Sequence, residues 1–233
     1  MTTGEELIPA ATVILLKETS ASGLEVLMLK RNSQIAFGGT WVFPGGRVDE
    51  RERQPDDPMA SARVAAVREV GEETGLEIRP DDLVPWSYWE PPPAQKMLPA
   101  AGPRRRFATW FFVCRAPEGD IAIDHGEIHD HQWATAEHAL SQHRDGEIEI
   151  VPPTWISLWQ IGQHESIDAA EQWARTGELP KFRTRPIAKK PITLAWAGDV
   201  AYDGGDIDQP GPRHRLAMTD EGWVYQTDGL WAD

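Results

Sequence analysis

The run Arg68-Glu69-Val70-Gly71-Glu72-Glu73-Thr74-Gly75-Leu76 (REVGEETGL) organises the reading of this 233-residue chain. On a helix, Glu72 and Glu73 fall three and four residues after Glu69, on adjacent turns of one face. Such close glutamates repel, by roughly 0.2–0.5 kcal/mol per like-charged pair in an isolated helix. A hard divalent cation turns that repulsion into ligation. Magnesium prefers carboxylate oxygens, keeps several waters and bridges substrate phosphates. Arg68 supplies a fixed positive charge that can hold one of the carboxylates in place. The bland reading of the same residues is a solvated helix face.

Working outward, the helix is predicted from about Pro58 to Thr74. Proline suits its first turn and Gly75 its C-terminal cap. Val67, Val70 and Thr74 recur at helical spacing and can face a sheet. Upstream, Ala10–Leu16 and Leu24–Leu29 are apolar runs around a turn-rich segment and read as a strand pair. Thr40–Phe43 reads as a third strand, stopped by Pro44-Gly45-Gly46. The charged, proline-containing loop from Arg47 to Pro58 is expected to hold neither helix nor strand. Downstream, Arg106–Arg115 is a strong strand and Ile121–Ile123 a short one, and Trp133–Leu140 is a strand leading into a helix. Thr154–Gln163 and Ile167–Thr176 read as helices. From Pro191 the chain returns to β character. The expected organisation is an α/β domain over residues 1–163, then an extension over 164–233. That extension should pack on the core or on a second copy in a homodimer, because Trp173, Trp196, Trp223 and Trp231 are too apolar to stand exposed together.

FPGG, a loop and then AAVREVGEETGL resemble the signature of the Nudix hydrolase family: a glycine, five residues, a glutamate, seven residues, then R-E-U-x-E-E-x-G-U with U aliphatic. The second half matches at every specified position from Arg68 to Leu76. The first half departs. Counting back eight residues from Arg68 lands on Ala60, and eight extra residues separate Gly46 from Arg68. Asp49, Glu50 or Asp57 are the carboxylates considered as replacements.

The resemblance implies an α/β/α sandwich with a mixed β-sheet and hydrolysis of a diphosphate linkage in a small nucleotide-like molecule. It implies magnesium or manganese held by Glu69, Glu72 and Glu73, with Arg68 and Glu72 in the catalytic group. Gly45 and Gly46 would let backbone approach metal or substrate. Glu127, in the loop DHGEIHDHQW, is the expected carboxylate for positioning or deprotonating water. Lys30–Asn32, Trp41–Asp49, the stretch PRRRFATWFFV, Glu127 with Trp133, and Pro152–Thr154 are similar to the branch containing the peroxisomal-type coenzyme A diphosphatases. Arg31 and Gly39 align with that branch's upstream signature, whereas its second arginine falls on Ile35. Arg31 and Arg106 are the expected substrate-binding arginines. Arg106 closes the run Arg104–Arg106, whose other reading is a solvated turn.

Other features are bounded more simply. A formal charge of −14 disfavours nucleic acid and anionic membrane as partners. The single cysteine, Cys114, rules out an intrachain disulfide and reads as a buried core residue. The opening stretch shows no basic segment before its short apolar run, so the expectation is a soluble cytoplasmic protein. His125, His129 and His131 lack the spacing of a zinc site. Trp86, Tyr88 and Trp89 could stack on a base or pack in the core. The alternative to catalysis is a nucleotide-sensing or protein-binding module with little turnover.

Overall fold

The computed structural model describes residues 7–20, 23–32, 39–93, 106–123 and 126–228. The two apolar runs form strands β1 (Ile8–Thr19) and β2 (Gly23–Arg31), paired antiparallel with Leu16 opposite Val26. β3 (Trp41–Val42) adds to β2. Pro44 does not end the sheet as expected. The chain continues as β4 (Gly45–Arg47), with Gly45 opposite Thr12 and Gly46 opposite Ala11 of β1. Proline removes a donor but keeps its acceptor, and the Pro44 carbonyl takes the Val13 N–H at 2.8 Å. The charged loop beyond is also more ordered than expected. Glu50–Glu52 make a 3-10 turn in which Glu52 reaches back to accept the Asp49 N–H at 2.7 Å.

Helix α1 (Pro58–Thr74) has the predicted bounds. The Asp57 carboxylate caps it by accepting the Ala60 N–H at 2.9 Å. Gly75 closes it in the left-handed region (φ 72°), where a side chain would be strained. Ala62, Ala65, Ala66 and Val70 are buried with Ala11, Val13 and Leu15 of β1, and these small residues let helix and sheet approach closely.

The remaining elements are β5 (Val84–Glu90), β6 (Phe107–Arg115), β7 (Ile128–Thr135), α2 (Ala136–Arg144), α3 (Pro152–Ile161), α4 (Ile167–Thr176) and β8 (Lys181–Arg183). They are followed by β9 (Arg185–Lys189), β10 (Ile192–Ala195), β11 (His214–Thr219) and β12 (Gly222–Thr227). The main sheet runs β3-β2-β1-β6-β5-β8, with β4 also on β1 and β7 also on β2. β1 with β6 and β5 with β8 are parallel, and the other pairs are antiparallel, so the sheet is mixed. Alternate residues of β1 feed opposite faces: Val13 and Leu15 join α1, whereas Ile14 and Leu16 join residues of α2, α3 and α4. The result is the expected α/β/α sandwich.

Ile121–Ile123 is not a strand. The Ala122 N–H bonds instead to the Thr74 carbonyl at 2.8 Å, tying this segment to the end of α1. β7 begins earlier than expected, at Ile128, and pairs with β2. The segment after α4 adds β8 to the edge of the main sheet through β5, then forms its own four-stranded sheet, β12-β11-β10-β9. Aromatic rings join this segment to the sandwich. Trp89 stacks on Phe182 at 4.0 Å, Trp196 meets Trp89 edge-on at 5.8 Å, and Trp223 meets His143 at 4.6 Å. Trp173 lies 4.7 Å from Trp86, while Trp231 falls outside the described residues. No helix among the described residues is long and apolar enough to cross a membrane.

Candidate active site

The site is built where α1 crosses β4. Glu69 rests directly on Gly46, where a β-carbon would fall 2.2 Å from Glu69 Oε1. Any residue but glycine would displace the carboxylate. One residue earlier, the Gly45 N–H donates to Glu73 Oε2 at 2.8 Å. The two glycines thus position two of the three glutamates through backbone alone.

Arg68 holds the third, Glu72, and adds a second contact to Glu69. Its Nη1 donates to Glu69 Oε1 at 2.8 Å and to Glu72 Oε2 at 2.9 Å. Its Nη2 donates to the Arg47 carbonyl at 2.9 Å. The fork is anchored from behind by Glu52, with Nε on Oε1 at 2.7 Å and Nη2 on Oε2 at 3.2 Å. Glu52 is a buried carboxylate, and it answers the question left by Ala60. Counted forward from Gly46, five residues and then a glutamate end on Glu52, as the family signature requires. The eight extra residues fall after that glutamate, between Glu52 and Arg68. Asp49, Glu50 and Asp57 do other work: Asp49 gives its N–H to Glu52, Glu50 pairs with Arg53 in the open, and Asp57 caps α1.

The electrostatics follow from burial. Burial pushes the Glu73 carboxyl up to about 8, with the Glu69 and Glu127 charges adding and the Gly45 N–H and Arg31 opposing. Burial likewise raises Glu69, against the pull of Arg68. Burial also works on Glu52, but its hydrogen bonds to Arg68 and the Asp49 N–H outweigh it and hold that carboxyl below the usual range. Glu73 is therefore a buried carboxylate and Glu69 a half-buried one whose charge opposes it, a pair that a cation would stabilise in the ionised form.

Glu127 is exposed at the start of β7, and its charge bears on both Glu69 and Glu73. Its segment is pinned to β2: the Asn32 N–H donates to the Glu127 carbonyl at 2.8 Å and the Asn32 side chain to the Gly126 carbonyl at 3.2 Å. Arg31, at the end of β2, exerts its charge on Glu73 and carries a buried Nε with no hydrogen-bond partner. Arg106 is placed differently. Its Nε and Nη2 donate to the carbonyls of Pro92 and Pro91 at 3.0 and 3.2 Å, tying the connection after β5 to the start of β6. Arg104, Arg105, Asp124 and His125 lie outside the described residues. Cys114 is buried, and burial pushes its thiol up to about 12, which fits a core residue.

The donor set is all carboxylate oxygen, with a glycine cradle under one member, and it suits a hard divalent cation. Among the described residues no three His, Cys, Asp or Glu side chains converge on one point. Glu72, with 59% of its side chain exposed, extends along α1 to Arg68.

Comparison with known proteins bears on the family and the fold. The NUDIX domain model matches residues 6–154. Nudix hydrolase 7 of Caenorhabditis elegans is 25% identical over 239 aligned positions, covering 86% of this chain and 77% of that one. The m7GpppN-mRNA hydrolase NUDT17 of Danio rerio is 28% identical over 141 positions, covering 54% of this chain and 43% of its own length. Among solved structures, a NUDIX hydrolase from Alicyclobacillus acidocaldarius superposes with a TM-score of 0.61 at 21% identity, over 73% of this chain and 97% of that one. With the domain matched over well more than half of its length, the chain belongs to the Nudix family, as a hydrolase of pyrophosphate bonds.

Proposed function

We propose that the chain hydrolyses a diphosphate linkage in a nucleoside-diphosphate derivative, using magnesium or manganese held by Glu69, Glu72 and Glu73. One observation carries the reading. A single arginine, anchored by buried Glu52, holds Glu69 and Glu72, while the Gly45 N–H holds Glu73 beside them. A bound divalent cation would supply charge neutralisation of the diphosphate and a water of lowered pKa.

The chain's own residues do the rest. Arg68 and Gly45 fix the carboxylates before substrate arrives, so little reorganisation is needed during reaction. Glu127, in the turn just before β7, is the group we assign to orienting the attacking water or taking its proton. Arg31 is the cation we assign to a substrate phosphate, since its Nε has no hydrogen-bond partner and guanidinium matches phosphate geometry. Arg106 acts through the backbone it ties. Coenzyme A and acyl-coenzyme A are the substrates to which the similarity around Lys30–Asn32 and Trp41–Asp49 points.

The test is a panel of coenzyme A, acyl-coenzyme A, NADH, ADP-ribose, dinucleoside polyphosphates and nucleoside triphosphates, each with magnesium, with manganese and with excess EDTA. At least one diphosphate should be cleaved with metal and none with chelator. Undiminished turnover in EDTA would remove the metal from the proposal.

A further inference from the structure

An open cleft of about 410 Å³ lies between the N-terminal half of α1, the start of β5 and the end of α4. Met59, Leu83 and Leu179 give it apolar walls, and Arg63, Arg175 and Asp81 give it charge. Arg63 precedes Glu73 by about 15 Å of helix, so the cleft is separate from the carboxylate site. Arg63 is held by three partners. Its Nη1 donates to the Pro80 carbonyl at 2.7 Å and also to that of Leu83. Its guanidinium lies over the Phe112 ring, 5.3 Å from the centroid. Its Nε and Nη2 make no hydrogen bond among the described residues. Arg175 enters from α4 and pairs through Nη2 with Glu171 at 3.1 Å, which leaves Nε and Nη1 without a partner among the described residues. The two guanidiniums act on each other. Burial holds Arg63 below its ordinary pKa and the Arg175 charge adds to that, while Asp81 and Asp57 oppose it.

We propose that this cleft is a second binding site, for a small amphipathic anion: one carboxylate or phosphate monoester on an apolar body. The charged end sits between Arg63 and Arg175, and the apolar part lies against Met59, Leu83 and Leu179. Two cations with spare donors on one cleft repel each other, and an anion between them removes that repulsion and takes the donors. Arg63 is fixed before the ligand arrives, so its fork loses little freedom on binding. The volume falls within the range of small-molecule sites, roughly 300–1,000 Å³. Asp81 and Glu171 keep the cleft from being strongly basic, which disfavours a polyphosphate and suits a singly charged head group. Arg175 and Leu179 belong to the segment after residue 163, so the site is complete only where that segment is docked on α1.

The experiment follows the methionine methyl signals of the full chain by NMR, with Met59→Leu identifying the Met59 signal among five methionines. Excess EDTA is present, so no metal at the glutamates recruits an anion. The probes are hexanoate, hexyl phosphate, hexanamide and inorganic phosphate. Hexanoate or hexyl phosphate should shift the Met59 signal saturably, and the tighter of the two assigns the head group. Hexanamide lacks the charge and inorganic phosphate lacks the apolar part, and each should bind at least about tenfold more weakly than its complete counterpart. Arg175→Gln should weaken the better probe by about tenfold, the loss of one charge-assisted contact. The Arg175 side chain is 56% exposed, so this variant spares the fold. Arg63→Gln should act in the same direction but also frees the Pro80 and Leu83 carbonyls, which makes Arg175 the deciding position. Hexanamide as strong as hexanoate, inorganic phosphate as strong as hexyl phosphate, a Met59 signal that no probe moves, or native affinity in Arg175→Gln would overturn the site.

Discussion

Glu52→Gln is the substitution whose consequence follows most directly from the geometry. The carboxylate accepts three N–H groups: Arg68 Nε on one oxygen, and Arg68 Nη2 and the Asp49 N–H on the other. Glutamine keeps the shape but has one acceptor oxygen and two donor hydrogens. If its oxygen takes the shared position, its amide NH2 faces Arg68 Nε, donor against donor. If it turns over, two donors lose their acceptor instead. The milder choice forfeits one charge-assisted bond, worth about 1.5–3 kcal/mol. Arg68 is partly exposed, which lets water replace some of that, so the expected loss is about 2 kcal/mol in urea unfolding.

Activity should fall further than stability alone requires. The same guanidinium positions Glu69 and Glu72, and a small misplacement of catalytic groups can cost about a hundredfold. The loss should appear mainly in kcat at saturating metal. Glu50→Gln is the matched control: its side chain is 83% exposed, so its effect should stay within about 0.5 kcal/mol. Equal losses at the two positions, or full activity in Glu52→Gln, would refute the assignment of Glu52 as the anchor.

Three further outcomes are expected. Gly46→Ala puts a methyl 2.2 Å from Glu69 Oε1, so kcat should drop by at least an order of magnitude while circular dichroism stays native; a fully active variant would show that Glu69 need not sit there. Glu127→Gln should lower kcat strongly and leave KM nearly unchanged, and a variant with full kcat at saturating magnesium would move the water-activating role elsewhere. The buried pair of Asp199 and Arg215, joined at 2.7 and 2.6 Å, should make stability depend on pH. Burial raises the Asp199 carboxyl, but Arg215 and the N–H groups of His214 and Ala201 outweigh it, so its folded pKa lies below the unfolded one. Its contribution is then complete above about pH 4 and lost as pH falls through the folded value. Urea midpoints followed by tryptophan fluorescence should show this loss in the native chain and lack it in Asp199→Asn; parallel curves would refute the linkage.

The elements that could be read from sequence were those whose signals are local. α1 announces both ends, with Pro58 at its start and Gly75 in a left-handed cap, and β1, β2 and β6 are apolar runs of strand length. What was not legible depended on partners distant in the chain. β5 contains Pro85 and the register shift that accompanies it, so its alternation is broken, and only β6 and β8 on either side make it an internal strand. β8 is three residues long, and Phe182 at its centre is buried because Trp89, far upstream, supplies the ring it stacks on. Ile121–Ile123 failed in the opposite sense: its alternation suits a strand, but the end of α1 takes its backbone.

The site divides along the same line. Glu69, Glu72, Glu73 and Arg68 share one helix, so spacing alone placed them together. A count taken backward from Arg68 crosses the loop where the extra residues lie and so passes over Glu52. Counting forward from Gly46 finds it, and the physical reason favours that direction. Gly46 is fixed on β1, and the 3-10 turn that follows delivers Glu52 within a few residues of that anchor. The added length can then be absorbed between the turn and Arg68, in the capping segment around Asp57 and the early turns of α1, without moving either member of the pair. An insertion before Glu52 would have changed where its carboxylate arrives, whereas one after it changes only the path by which the chain returns to Arg68. The signature is therefore tolerant of length in one half and rigid in the other, and the rigid half is the one that sets the glutamate against the arginine.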